Sequence, residues 1–418
     1  MKNKYQENEG VWKTIAGRRV FIRNGQSLQE AIDGSGKFDD IKRKIKERNK
    51  LKENIKKNAE LAKKIEKKYR KREREDLRKR SNEEIEEALQ DQSIDYDDRK
   101  IAKEVLNDRK KVQDAIKNSY TNTEDGNKNY DKKGSPDSLV ENTDKNGKLK
   151  PEREKIHQEI LNEYFEGKLP VDEDERIFYM TGGGSGTGKS NFLKDGKKYY
   201  GRDFNYNNKT KMLDGNIIKV DPDDLKKAIH KRVGSGELDA GYYHEESSAL
   251  AKRITSIGLD NGYLVLSDGV NGGSNKIASK IEQAHKKGYK VYASYGTISY
   301  EQALENNWNR FKNGYNIDKN TARLVEASEV VKAHYNVSEG IMGSGHLFDK
   351  LDIYDMSDYN NIKKIGTVEN GKLKKISGNE NLFENFENKG KLSEKQKEDL
   401  ADDWETKYEL RKRKLKGE

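Results

Sequence analysis

Ile177-Phe178-Tyr179-Met180-Thr181-Gly182-Gly183-Gly184-Ser185-Gly186-Thr187-Gly188-Lys189-Ser190 is the stretch on which the reading of this chain turns. Its apolar start, Arg176 to Met180, has the composition of a buried strand. Gly183 to Ser190 then spells G-x-x-x-x-G-K-[ST] in full, and Phe192 and Leu193 open an apolar helical pattern. Glycines let the backbone fold around a phosphate with its N–H groups pointing inward. The residues Gly183, Gly184, Ser185, Gly186, Thr187, Gly188, Lys189 and Ser190 therefore make a candidate nucleotide-binding loop. In such a loop Lys189 reaches the β and γ phosphates, the Ser190 hydroxyl ligates Mg²⁺, and the helix beyond adds its N-terminal dipole. ATP and Mg²⁺ are the expected cofactors.

Outward from the loop, three further strands are expected at Asn216–Val220, Tyr263–Leu266 and Lys290–Ala293, with long helical patterns such as Ser247 to Ile257 and Lys276 to Lys287 between them. Strands alternating with helices predict an α/β fold with a mostly parallel sheet flanked by helices. In such sheets ligands bind beyond the carboxyl ends of the strands. The second strand runs into Asp221-Pro222-Asp223-Asp224, and the third into Ser267-Asp268-Gly269. Asp223 is placed to take a proton from an attacking hydroxyl or to help hold Mg²⁺, with Asp221 or Pro222 suited to capping the next helix. Asp268 is placed to meet Mg²⁺ or a substrate hydroxyl. Further on, Glu301 to Phe311 reads as a helix carrying Arg310, then Gly314-Tyr315-Asn316 to Asn320 as a flexible loop, and Thr321-Ala322-Arg323 opens another helical pattern. Arg310 and Arg323 on a mobile element are what a lid would use to clamp a transferring phosphoryl group and shut out water.

The rest of the chain differs in character. Of 418 residues, 31% are hydrophobic and 38% charged, against roughly 45–50% (glycine included) and about 25% in ordinary globular domains. Part of the chain is therefore expected to be solvated helix or disorder. The net charge of +10 is a small difference between 84 basic and 74 acidic residues, so charge is mixed rather than one-signed, and no nucleic-acid partner is expected. The absence of Cys excludes a disulfide framework, thiolate metal sites and a Cys nucleophile. Neither a membrane span nor a signal-peptide core is present in the pattern. Five segments are expected: 1–36, a short β/turn segment; 37–120, a charged helical, coiled-coil-like region; 121–150, a linker; 151–358, the phosphate-loop domain; and 359–418, a polar tail with a helix. In the first, Gly17 to Ile22 reads as a strand, Asn24-Gly25 as a turn, and Ser27 as an N-cap three residues before Glu30. In the second, Ile41, Ile45, Ile55, Ala59, Ala62, Ile65 and Tyr69 form a stripe too narrow to bury a core alone, and Ser81-Asn82-Glu83-Glu84 reads as a capping box.

The helix Glu152 to Phe165, the loop Gly183 to Ser190, Val220-Asp221-Pro222-Asp223-Asp224-Leu225, His244-Glu245-Glu246-Ser247, Leu266-Ser267-Asp268-Gly269, and Arg310 with Thr321-Ala322-Arg323 together resemble the zeta-toxin family of P-loop kinases, over roughly residues 151–355. That resemblance implies transfer of the ATP γ-phosphoryl to UDP-N-acetylglucosamine or another sugar nucleotide. It implies Asp223 as catalytic base, Lys189, Arg310 and Arg323 as neutralisers of the phosphates, and Asp268 and Glu245 as substrate contacts. An antitoxin partner is implied as well. The family commonly continues its acidic residue as Gly-Thr-x-Arg, whereas this chain has Asp268-Gly269-Val270-Asn271-Gly272, which leaves a different hydroxyl substrate open. Separately, Trp12 to Ile22 with Asn24 to Leu28 is similar to a stretch of phage minor head proteins, which implies a phage head or portal partner. Two alternative readings follow: a head-associated structural protein whose loop domain only binds nucleotide, and a polynucleotide 5′-hydroxyl kinase. The expected location is the cytoplasm of the host cell or a virion.

Overall fold

In the computed structural model, residues 10–15, 18–23, 27, 30, 39–121, 139–207, 213–233, 243–317 and 324–416 are described. The chain divides into two compact units, Met1–Leu77 and Arg78–Glu418. Among the described residues, no helix is long and apolar enough to cross a membrane.

The first unit holds an antiparallel hairpin, β1 (Gly10–Ile15) and β2 (Arg18–Arg23), with Trp12 opposite Phe21. Asn24-Gly25, expected as a turn, lies outside the described residues. The cap expected at Ser27 forms, with Glu30 N–H donating to Ser27 Oγ at 3.1 Å and Ser27 N–H donating to the Glu30 carboxylate at 2.8 Å. A helix of 40 residues follows, α1 (Asp39–Arg78), whose last residue belongs to the second unit. Along it Leu51, Ile55, Leu61 and Ile65 are all more than half exposed, as a stripe between lysines and glutamates implies.

The second unit begins with α2 (Asn82–Gln90), opened by the Ser81–Glu84 capping box, and α3 (Tyr96–Asn118). After α4 (Pro151–Phe165) comes a sheet of seven strands: β3 (Ile177–Gly183), β4 (Ile218–Val220), β5 (Val265–Ser267), β6 (Lys290–Thr297), β7 (Lys350–Asp355), β8 (Lys363–Glu369) and β9 (Lys372–Lys375). Their order is β4-β5-β3-β6-β7-β8-β9, parallel through β7 and antiparallel beyond. Side chains alternate across a strand. Phe178 and Met180 accordingly join one core with Ile218, Val265, Val291 and Ile353, while Tyr179 joins the other with Leu264, Leu266 and Phe204. Both faces are covered, which is why the strands read as continuous apolar runs. The first core is closed by α4, α7 (Pro222–Val233), α8 (His244–Asp260) and α9 (Ser274–Lys286). α10 (Tyr300–Ile317), α11 (Ala327–Ser344) and α13 (Glu394–Lys416) share the second core with α5 (Ser190–Lys194) and α6 (Gly196–Tyr200), whereas α12 (Glu380–Lys389) buries Phe383 and Phe386 in the first.

The α/β class with a mostly parallel sheet stands, but several boundaries need correction. The charged helical region does not end as one block at 120. Its second half docks, because α3 buries Ile101, Val105, Val112 and Ile116, the last two among the core of α4 and the sheet. Polar contacts seal the joint: Arg253 donates to Ser119 O at 2.7 Å and to Glu154 at 2.8 Å, and His157 Nδ1 lies 2.7 Å from Thr121 Oγ1. The segment 121–150 is not a bare linker, since Leu139 and Leu149 bury against Ala249; residues 122–138 lie outside the described residues. The polar tail is also corrected. Residues after 359 supply β8 and β9 and bury Phe383, Phe386, Trp404 and Tyr408, with the Tyr408 hydroxyl donating to Leu304 O at 2.8 Å. Few apolar residues suffice when they are large aromatics at helical spacing. Finally, Gly314-Tyr315-Asn316 is not loop: α10 continues through Ile317.

Candidate functional site

The G-x-x-x-x-G-K-S loop leaves the central part of the sheet, with β5 on one side of β3 and β6 on the other. Its shape is held from outside, carbonyl by carbonyl. His334 on α11 donates from Nε2 to Ser185 O at 2.9 Å, Asn306 on α10 donates to Gly186 O at 3.0 Å, and the Tyr359 hydroxyl reaches the same oxygen at 3.3 Å. Burial pushes His334 down to about 3, helped by the Lys389 and Lys189 ammonium groups, so it acts as a neutral donor. A side chain at Gly184 would put its Cβ 2.1 Å from the His334 ring, and Gly188 adopts φ +75° with Tyr359 alongside. Both positions therefore require glycine.

With the carbonyls engaged outward, Lys189 lies across the loop and donates to Gly183 O at 3.0 Å and Gly184 O at 3.2 Å. Burial lowers its pKa, while Asp268, Asp221 and Asp223 favour its charge and Arg310 opposes it. Those four side chains thus share one electrostatic neighbourhood with the loop lysine. Ser190 is exposed at the start of α5. The helix beyond the loop is shorter than the pattern implied, because α5 ends after five residues and Asp195 restarts the chain as α6.

Across the crevice, Asp221 ends β4 and caps α7: its Oδ1 accepts from Asp223 N–H at 2.9 Å. Asp223 in the first turn of α7 has a side chain 64% exposed, with Lys226 3.5 Å from its carboxylate. Asp268 follows β5 and accepts a hydrogen bond of 2.5 Å from the Thr181 hydroxyl on β3. Lys219 joins them, its ammonium 3.3 Å from Asp221, 2.7 Å from Asp224 and 3.5 Å from Asp268. Burial works against the Lys219 charge, but the three carboxylates outweigh it and raise its pKa. Burial, with Asp268 and Asp224 nearby, raises Asp221 to about 6. On the floor, Asn271 (φ +45°) donates to Thr181 O at 2.6 Å and accepts from Lys280 at 2.7 Å, and Gly183 N–H donates to Val270 O at 3.1 Å. The loop after β5 is therefore laced to the strand before the phosphate loop.

Of the other expected site residues, Arg310 is exposed on α10 and bonded to Asn307 at 3.2 Å. Arg323 lies outside the described residues. Glu245 is buried in the first turn of α8, beside Glu246, which accepts from Arg153 at 2.6 and 2.7 Å and from His157 at 2.7 Å. Burial opposes the Glu246 charge, yet these hydrogen bonds hold its pKa below the ordinary value, and it serves to tie α8 to α4. Sequence reasoning overlooked Lys219, His334, Asn306, Asn271 and Tyr359 as site-building residues. Lys219 alone carried a visible signal, as the one cation inside an apolar strand.

A phosphate loop at the carboxyl edge of a parallel sheet, with carboxylates after the neighbouring strand β5 and after β4 beyond it, defines a P-loop protein of kinase-like fold. Residues 162–365 match the Zeta toxin family model; residues 12–28 lie outside the match. Among solved structures the chain is similar to AvrRxo1-ORF1:AvrRxo1-ORF2 with sulphate ions (18% identity, TM-score 0.47, covering 60% of this chain and 76% of that one). It is similar to the same complex with ATP (17%, 0.45, 60% and 76%). The PezAT chromosomal toxin-antitoxin system of the human pathogen Streptococcus pneumoniae is similar at 17% identity and TM-score 0.41, covering 64% of this chain and 97% of that one. No curated protein matches the chain.

Proposed function

We propose that the second unit is an ATP-dependent phosphotransferase that moves the γ-phosphoryl group to a hydroxyl of a small molecule, with UDP-N-acetylglucosamine or another sugar nucleotide as the acceptor class. The observation that carries this reading is an intact phosphate loop on β3 whose strand is joined through Asp268, Lys219 and Asp221 to the start of the helix bearing Asp223. A loop that only stored nucleotide would have no use for a solvent-accessible carboxylate after strand β4.

The residues fit ATP with Mg²⁺. Among the described residues no group of three or more His, Asp or Glu could hold a metal alone. The cation would therefore arrive with the nucleotide and take the Ser190 hydroxyl as its protein ligand, the usual arrangement for Mg²⁺, which keeps phosphate and water ligands. It would offset charge on the β and γ phosphates. The loop amides orient the triphosphate, and Lys189 exchanges its two carbonyl contacts for phosphate oxygens. Asp223 accepts the proton of the acceptor hydroxyl as its oxygen bonds to the γ-phosphorus, and the bond to the β–γ bridging oxygen breaks with its electron pair leaving on ADP. Arg310 and Arg323 neutralise the charge in flight, and Asp268 and Glu245 contact the acceptor. Such an activity in a cell would call for a neutralising antitoxin partner.

The test is an acceptor screen: purified chain, labelled ATP and Mg²⁺, a panel of sugar nucleotides and a DNA 5′ end, read by mass spectrometry. A phosphorylated sugar nucleotide that disappears with Lys189→Ala supports the reading. Bound ATP with no phosphorylated product favours a nucleotide-binding structural role, and a phosphorylated DNA end favours the polynucleotide kinase.

A further inference from the structure

Strand β4 is apolar at Ile218 and Val220, as is Ile217 before it, yet the residue between the strand's ends is Lys219, with only 14% of its side chain exposed. A lysine in that setting loses hydration that its partners must replace. It has three, each from a different place in the chain: Asp221 at the end of β4, Asp224 in the first turn of α7, and Asp268 beyond β5. Each carboxylate is engaged again on its far side. Asp221 holds the amide of Asp223 at 2.9 Å, Asp224 meets Lys227 at 3.2 Å, and Asp268 takes the Thr181 hydroxyl at 2.5 Å. A continuous run of contacts therefore leads from β3, which bears the phosphate loop, through Asp268, Lys219 and Asp221 to the backbone of Asp223.

We propose that Lys219 is a positioning residue, a tethered cation that sets the spacing of the Asp223-bearing helix start and Asp268 across the crevice. The proposal rests on the phosphotransferase reading of the site. Without the ammonium, Asp221 and Asp268 face each other as like charges, and the start of α7 and the loop after β5 separate. A displacement near 1 Å at a catalytic group costs on the order of a hundredfold in rate. The phosphate loop itself is held by His334, Asn306 and Tyr359 through contacts separate from the bridge, so removing the ammonium leaves those contacts in place. Among the described residues, the charged and titratable groups around the bridge include Asp221, Asp223, Asp224, Asp268, Lys226, Lys227, Lys189, Arg310 and, from α4, Tyr164.

The experiment compares the full chain with K219M and K219R. In K219M, kcat is expected to fall about 10- to 100-fold, ATP affinity to stay within about twofold, and the acidic limb of the pH–rate profile to move up, because losing a neighbouring cation raises carboxylate pKa values. K219R, which keeps the charge, is expected to recover most of the rate. An unchanged kcat and profile in K219M, an equal loss of ATP affinity, or a K219R variant as impaired as K219M would overturn the proposal. Carbon-13 titration of the aspartate carboxylates in the nucleotide-free chain gives a readout that needs no catalysis. Wild-type protein that transfers no phosphoryl group sinks the kinase reading; an Asp221 resonance that titrates alike in wild type and K219M sinks the bridge itself.

Discussion

The two sides of the crevice are built from different materials. The nucleotide side is main chain: a run of glycines between β3 and α5, with outward carbonyls engaged by His334, Asn306 and Tyr359. The acceptor side is side chain: Asp221, Asp223, Asp224 and Asp268 arranged about Lys219 on elements separated by nearly fifty residues. A site made of backbone depends on where a Cβ is missing. A site made of carboxylates depends on which cations stand near them, and on the helices that hold those elements apart. The front helices bear on the second kind. Val112 and Ile116 of α3 share the core with α4 and α7, and Arg232 of α7 reaches Glu159 and Glu163 of α4.

Substitutions separate the two sides by size of effect. Asp223→Asn keeps the shape and removes the base, so transfer is expected to fall about 10²- to 10⁴-fold while ATP affinity holds; steady-state kinetics beside nucleotide titration checks this, and an equal loss of both would mean the sides are not separable. Ile116→Ala empties a position only 1% exposed, and about 2–5 kcal/mol of unfolding free energy is expected to go with it. Ile55→Ala on α1, at 60% exposure, should change denaturant stability by less than about 0.5 kcal/mol. Equal losses at the two positions would contradict the docking of α3.

On the nucleotide side, His334→Gln keeps a donor for Ser185 O and removes a titration. His334 sits at about 3 in the folded chain, below its usual ~6.5, so its stabilisation is complete above the unfolded value and is lost as pH falls through it toward 3. Between pH 7 and 5 the wild type should lose about 2 kcal/mol more than the variant, visible as a steeper fall in melting temperature. On the same side, a somewhat smaller effect is expected at Gly184→Ala. Its Cβ meets the His334 ring, and ATP affinity is expected to drop by about tenfold, or 1.4 kcal/mol, with Asp223-dependent chemistry intact in what still binds.

The contrast between the sides also marks what could be read in advance. Gly183 to Ser190 was legible because its chemistry is local: eight consecutive residues, a strand before and a helix after. Asp223 and Asp268 were legible as residues after strands, since strand ends point into the crevice of a parallel sheet. Asn271 and His334 were not, because each acts on a residue far from it in sequence, His334 on Ser185 and Asn271 on Thr181; Lys219 stands out as a cation in an apolar strand, but its contact with the distant Asp268 does not. The C-terminal stretch was misread for a related reason. Its polar composition hides Phe383, Phe386, Trp404 and Tyr408, whose burial depends on surfaces offered by β8, α10 and α11 rather than on any pattern of their own.

Period and local chemistry, the phosphate loop, the alternation of strands and helices and the capping boxes at Ser27 and Ser81, follow from the amino-acid order by itself. They arise from contacts within a few residues, which chain geometry enforces wherever the segment lies. Which charged helix docks and which stays wet, and which cation organises which carboxylates, was decided only in three dimensions. Those outcomes depend on desolvation and Coulomb terms between groups that the sheet, not the sequence, brings within reach.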